Sequence, residues 1–208
     1  MCDAIIASGL VFDWGCETRA DKIDEDQIIK MKEAGCKKIT FGVESGNERI
    51  RNLTGKRISN ETFMKAFALC RKHKLKTMAN FIFGHPGETL EDMRETISFA
   101  VALKPFNVLF LRMVPLPDVE VYTQGVKSGE IEPDIWIRYM RGETDHPVYY
   151  PSSIRAADMD RIFSQAYLRF YLSPFAIKNY LPFIFDFDFM RRSLSIFFRL
   201  AFGKPVFK

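Results

Sequence analysis

One ten-residue stretch constrains the fold more than any other. Asn80-Phe81-Ile82-Phe83-Gly84-His85-Pro86-Gly87-Glu88-Thr89 is an apolar run opened by an amide, broken at a glycine and turned through Pro-Gly. The run reads as a buried strand, since Phe and Ile favour a pleated surface and no charge interrupts them. Thr89 with Asp92 is a capping box for the helix that follows. Strand, glycine turn and helix in that order build one wall of a ligand site in α/β enzymes. Lys38-Ile39-Thr40-Phe41-Gly42-Val43-Glu44-Ser45-Gly46 repeats the design, with a carboxylate between small residues. Two such units place a site at the carboxyl ends of parallel strands.

The alternation extends in both directions. Residues 2–9 read as a helix stopped by Gly9, and residues 10–14 as a strand left through a polar loop, 16–21. Asp24 with Gln27 forms a capping box. The helix behind it carries Ile28, Ile29, Met31 and Ala34 on one face and ends at Gly35. Residues 36–43 form the next strand. Ser59 caps a helix with Phe63, Ala66, Phe67 and Cys70 on one face, and residues 75–83 form the strand that leads to His85. Met93, Ile97, Phe99, Ala100 and Leu103 line the helix after Thr89. Pro105 stops it, and residues 107–114 are a further strand. Such alternation implies a parallel sheet with right-handed crossovers.

The fold class expected is α/β: a partial TIM-like (β/α) barrel of about four parallel strands with helices, plus a C-terminal helical extension. Four strands do not close a barrel, which needs about six to eight. The chain therefore reads as the later part of a larger barrel, or as an open half-barrel, over residues 1–117. Residues 118–154 read as an irregular substrate-side segment, with turn signals at Gly129, Pro133, Gly142 and Pro147. Residues 155–208 read as a helical extension. Its Phe-rich part, 173–203, is either a cap on the barrel or a peripheral membrane contact.

The 208 residues suffice for one domain with a sizeable core. The net charge is +4 with Lys and Arg scattered, which argues against nucleic acid as a partner. No run of about 18 apolar residues spans a membrane, and Met1-Cys2-Asp3 lacks the basic start of a secretion signal. Cys2, Cys16, Cys36 and Cys70 hold no C-x-x-C pair. They read as free thiols of a reducing, cytoplasmic compartment, and no metal ligands are assigned.

The strand ends carry Glu17 and Arg19, then Glu44 and Ser45, then Asn80, then Arg112. In a parallel barrel such side chains converge on one mouth. A carboxylate accepts from ribose hydroxyls or an ammonium, and a cation binds a carboxylate. Gly42, Gly46 and Gly84 let a flat ring approach the backbone. The set suits a zwitterionic, hydroxylated small molecule. Blander roles stand beside it: Glu44 favouring a helix dipole, Arg19 in a surface ion pair with Asp21, and His85 solvated in its loop. Leu53-Thr54-Gly55-Lys56-Arg57 lacks the preceding glycine of a phosphate loop, which it therefore is not.

Four words in order resemble the radical S-adenosylmethionine superfamily. They are Trp14-Gly15-Cys16-Glu17-Thr18-Arg19-Ala20-Asp21, Ala34-Gly35-Cys36, Phe41-Gly42-Val43-Glu44-Ser45-Gly46-Asn47 and Gly84-His85-Pro86-Gly87-Glu88-Thr89. The resemblance is to the branch with an N-terminal cobalamin-binding domain, which includes the anaerobic magnesium-protoporphyrin monomethyl ester cyclases. It implies that the later barrel strands bind S-adenosylmethionine. Glu44 would contact the ribose or methionine part, Arg19 and Asn80 would line the same pocket, and Lys56 would reach the methionine carboxylate. Gly42, Ser45 and Gly84 belong to the same cofactor-binding words. In the family a [4Fe-4S] cluster reduces S-adenosylmethionine to a 5′-deoxyadenosyl radical.

The family's C-x-x-x-C-x-x-C motif and the cobalamin domain are absent from this chain. Pro117-Asp118-Val119 replaces the usual Pro-Gly-Thr. The expectation is the later half of a radical methylating, cyclising or related C–C or C–S bond-forming enzyme that is not active alone. The cluster, and cobalamin where used, would sit on an upstream half-barrel or cobalamin-domain partner, and the substrate would be a small molecule. The alternative is a degenerate half-barrel that serves as a binding or scaffold protein. No catalytic residue is assigned.

Overall fold

A computed structural model describes residues 1–144 and 154–183. The fold is α/β. Its elements are α1 (Cys2–Ser8), β1 (Trp14–Thr18), α2 (Glu25–Glu33), β2 (Cys36–Glu44), α3 (Glu48–Leu53), α4 (Asn60–Lys72), β3 (Lys76–Phe83), α5 (Leu90–Leu103), β4 (Asn107–Arg112), α6 (Glu120–Ser128), α7 (Ile135–Met140), α8 (Ala156–Tyr171) and α9 (Pro174–Tyr180). The four strands are parallel and lie in the order β1-β2-β3-β4. This is a partial TIM-like barrel, one sheet wall backed by helices.

Alternation along each strand separates the two faces. Ile39, Phe41 and Val43 on β2, Ala79, Phe81 and Phe83 on β3, and Val108 and Phe110 on β4 are buried in the core. They meet Ile28 of α2, Phe63 and Phe67 of α4, Met93 and Ile97 of α5, and Ile162 and Phe170 of α8. Phe110 stacks between Phe81 and Phe83 at 5.3 and 5.4 Å, and Phe163 meets Phe83 edge-on at 5.3 Å. Each such ring stabilises the fold by about 1.5–3 kcal/mol. Tyr167 locks α8 onto the edge strand: its hydroxyl donates to the Phe110 carbonyl and accepts from the Phe110 amide, both at 3.1 Å. On the opposite face Thr40, Gly42, Glu44, Asn80 and Ile82 are only half-buried. That face is the inner side of the barrel.

The chain leaving β2 is tied down by two buried polar groups. Thr96 of α5 accepts the Gly46 amide at 2.9 Å and pairs with the Ser45 hydroxyl at 3.0 Å. A Cβ at Gly46 would stand 2.7 Å from the Thr96 Cα, so only glycine lets α5 approach this closely. Arg51, on α3, is 0% exposed. It donates to the carbonyls of Ser45 (2.5 Å) and Ile58 (2.7 Å) and to Asn60 Oδ1 (2.8 Å), over the face of Phe63.

Two sequence expectations are corrected, and one helix is added. The first strand is Trp14–Thr18, not residues 10–14, and Val11 is 98% exposed. An apolar run mimicked a strand, whereas the true one alternates: Trp14, Cys16 and Thr18 are half-buried, and Gly15 and Glu17 are exposed. The Trp14 indole donates to the Ala34 carbonyl at 2.6 Å and anchors it. Helix α3, capped by Asn47, occupies a stretch to which no element is assigned from the sequence. The segment expected to be irregular contains α6 and α7, while its Pro147 lies outside the described residues. Among those residues the C-terminal extension is α8 and α9. Residues 184–208, most of the Phe-rich tail, lie outside, and with them the question of membrane contact. No described helix is long and apolar enough to cross a membrane.

Candidate cofactor-binding cavity

A cavity of about 390 Å³ opens beyond the carboxyl ends of β2 and β3, within the range of small-molecule sites. Arg19, Glu44, Lys56, Ile82, His85 and Met113 are among its walls.

Glu44 reaches it from an unusual backbone. The Ser45 amide donates to the Val43 carbonyl at 2.9 Å, across a Glu44 whose φ is +67°. An i→i+2 bond around a positive-φ residue marks a strained γ-turn, and for a non-glycine residue it costs about 1–3 kcal/mol. The β2–β3 register slips at the same place, between Gly42 and Glu44. The local backbone is bent so that a carboxylate, not a glycine, meets the cavity.

Lys56 arrives from the loop after α3. Its Nζ donates to Glu44 Oε1 and to the Gly42 carbonyl, both at 2.7 Å. The pair is about one-fifth exposed on each side. A Cβ on Gly42 would stand 2.8 Å from both Glu44 Oε1 and Lys56 Nζ, so the glycine makes room for the pair. Arg19 is held by Asp21 through two hydrogen bonds at 2.9 and 3.0 Å, and it lowers the Asp21 carboxyl. The cavity thus presents two cations and one carboxylate.

Behind these charges lie polar groups with unused capacity. Asn80 Oδ1 is buried with no hydrogen-bond partner, and neither nitrogen of His85 makes a well-formed hydrogen bond. Burial holds the His85 imidazole below its ordinary value, against the pull of Glu44 and the Ile82 carbonyl. It is therefore neutral at neutral pH. His85 is a wall of the cavity and Asn80 is not; orphaned buried polar atoms on a cavity wall are the mark of a site that a ligand completes.

Arg19, Glu44 and Lys56 come together on this cavity. Asn80 lies on the same strand face as Ile82, Gly42 sits beneath the Lys56–Glu44 pair, and Gly84 (φ +95°) begins the turn that carries His85. Ser45 does not join them: it is 0% exposed and its hydroxyl is bound to Thr96. Arg112 also points elsewhere, because it shares a strand face with Phe110. It pairs with Asp160 and lies 4.9 Å from the Phe163 ring centre. Glu17 is exposed on β1. His85 is 2% exposed, not solvated, and Glu88 went unnoticed.

An open parallel sheet with a mixed-charge cavity beyond its strand ends is the arrangement in which (β/α)-barrel proteins place their small-molecule sites. Residues 3–100 match the Radical SAM superfamily model. An uncharacterised methyltransferase of Pyrococcus horikoshii is 29% identical over 166 residues, covering 80% of this chain and 36% of the relative. The anaerobic magnesium-protoporphyrin IX monomethyl ester cyclase of Rubrivivax gelatinosus is 25% identical over 210 residues, covering 100% of this chain and 36% of the relative. In fold the chain is similar to apo OxsB, a cobalamin-dependent S-adenosylmethionine radical enzyme. The TM-score is 0.57 at 14% identity, over 97% of this chain and 35% of that one. It is also similar to TsrM of Kitasatospora setae, a radical S-adenosylmethionine methyltransferase with cobalamin and a [4Fe-4S] cluster bound. There the TM-score is 0.55 at 20% identity, over 78% of this chain and 34% of that one. The chain thus spans little more than a third of these relatives.

The residues on the cavity fit S-adenosylmethionine: two cations for a carboxylate, and a carboxylate for an ammonium or hydroxyls. They do not fit the cluster. Among the described residues no three His, Cys, Asp or Glu side chains gather as a metal site. Cys16, Cys36 and Cys70 belong to the core layer under the helices. There burial pushes Cys16 up to about 11 and Cys70 up to about 12, so both are protonated thiols at neutral pH.

Proposed function

We propose that this chain is the S-adenosylmethionine-binding part of a radical S-adenosylmethionine enzyme that methylates or cyclises a small molecule. One observation carries the reading: Lys56, Glu44 and the buried His85 all meet one strand-end cavity. Lys56 would leave Glu44 to bind the methionine carboxylate. Glu44, freed, would accept from the ammonium or the ribose hydroxyls. Asn80 Oδ1 would accept a donor from the ligand. Ile82, Met113 and neutral His85 would wall the apolar part and keep water out. The cofactor supplies the bond-breaking chemistry, and these residues bind and orient it. The cluster, and any cobalamin, would be held by residues beyond those described here.

Equilibrium dialysis against S-adenosylmethionine tests this. Saturable binding by the wild type is expected, with about 10- to 100-fold weaker binding in Lys56→Ala, because a charge-assisted hydrogen bond is lost. Binding that ignores Lys56→Ala would remove the lysine from the site. No binding by the wild type would overturn the reading.

A further inference from the structure

Glu88 is 0% exposed at the turn from the cavity into α5, and it is not one of the cavity walls. One carboxylate oxygen accepts the amides of Gly84 and His85 at 2.7 and 3.0 Å. The other oxygen is buried without a partner. The charged groups that face it are Asp92 on α5 and Arg49 on α3, while His85 of its own turn reaches it through the backbone amide. Asp92 is already engaged by Thr89, Arg49 and Asn47. Among the described residues no cation pairs with Glu88 directly. Two amide donors favour the charged carboxylate, and burial opposes it. The group therefore stands between two states, and in each it holds the turn with different strength, since charge-assisted hydrogen bonds are the stronger.

We propose that Glu88 is a positioning residue for the cavity: its carboxylate fixes the Gly84–His85 turn, and its gain or loss of a proton adjusts the His85 wall and so the affinity for the ligand. The ligand part rests on the cofactor reading above; the turn part does not. Burial pushes the Glu88 carboxyl up to about 7, which puts the change near neutral pH.

Amide NMR of the ligand-free chain, titrated from about pH 5.5 to about pH 8.5, tests the turn. The Gly84 and His85 amides are expected to move together with one midpoint near 7. In Glu88→Gln that shared titration is lost while the chain stays folded. Amides that do not titrate in the wild type, or that titrate alike in Glu88→Gln, would overturn the proposal. Dialysis with S-adenosylmethionine at both ends of the range tests the consequence. Wild-type affinity is expected to change by about threefold or more, and Glu88→Gln to stay flat. Glu88→Ala, which lacks the acceptor, should bind about tenfold more weakly throughout. Pairwise titration of the amides without any binding would uphold the role of Glu88 in the turn and defeat the cofactor reading. Binding with equal pH dependence in wild type and Glu88→Gln would defeat the link between Glu88 and the cavity.

Discussion

Replacing Arg51 by Met is expected to lower the unfolding free energy by about 3–5 kcal/mol, because it strands the partners of a buried cation. The methionine fills much of the volume and keeps contact with Phe63. It leaves the Ser45 and Ile58 carbonyls without the guanidinium that reaches them at 2.5 and 2.7 Å. Asn60 Oδ1 loses its donor too, although its amide still reaches the Gly46 carbonyl. For a chain of this size the melting midpoint should fall by about 10 °C or more, which a circular dichroism melt reads directly. Arg51→Lys should recover only part of the loss, since an ammonium cannot match three acceptors set for a planar fork. The effect should reach the cavity, because the Lys56 amide donates to the Arg51 carbonyl at 3.2 Å.

Stability is also expected to depend on pH through Glu88. A carboxyl that ordinarily titrates near 4.5 and is pushed up to about 7 binds its proton more tightly folded than unfolded. Its protonated form therefore stabilises the fold below pH 4.5. That contribution is lost as pH rises from about 4.5 to about 7, and it amounts to about 3 kcal/mol. His85 acts in the opposite sense. Its folded value is depressed, so stability rises with pH up to its ordinary value of 6.5. The difference between wild type and Glu88→Gln isolates the carboxyl. Urea unfolding of both proteins should show that difference shift by about 3 kcal/mol against the wild type between about pH 4.5 and about pH 8. A difference that stays constant would mean that the buried carboxyl does not titrate there.

Much of the architecture was legible because local and global signals agreed. Asp24 with Gln27 and Thr89 with Asp92 form the reciprocal caps that their spacing announces. The apolar faces of α4 and α5 meet the buried faces of β2 and β3. Composition misled where burial decides. Residues 10–14 look like a strand, yet pairing with β2 selects Trp14–Thr18, whose indole has a fixed acceptor. The cavity was legible as strand ends and not as side-chain directions. Arg112 fell on the wrong face by the two-residue period of its strand, and Ser45 turned toward α5. Glu88 was illegible because nothing in its neighbours announces that both amides of the turn converge on one buried oxygen.

The central claim is that the cavity beyond β2 and β3 takes S-adenosylmethionine. Amide shift mapping tests it most directly, with the cofactor added to about 5 mM, enough to reveal even weak binding. Saturable shifts centred on Gly42, Glu44, Lys56, Ile82 and His85 are the expected result. No shifts, or shifts gathered on the helix layer away from these residues, would contradict it.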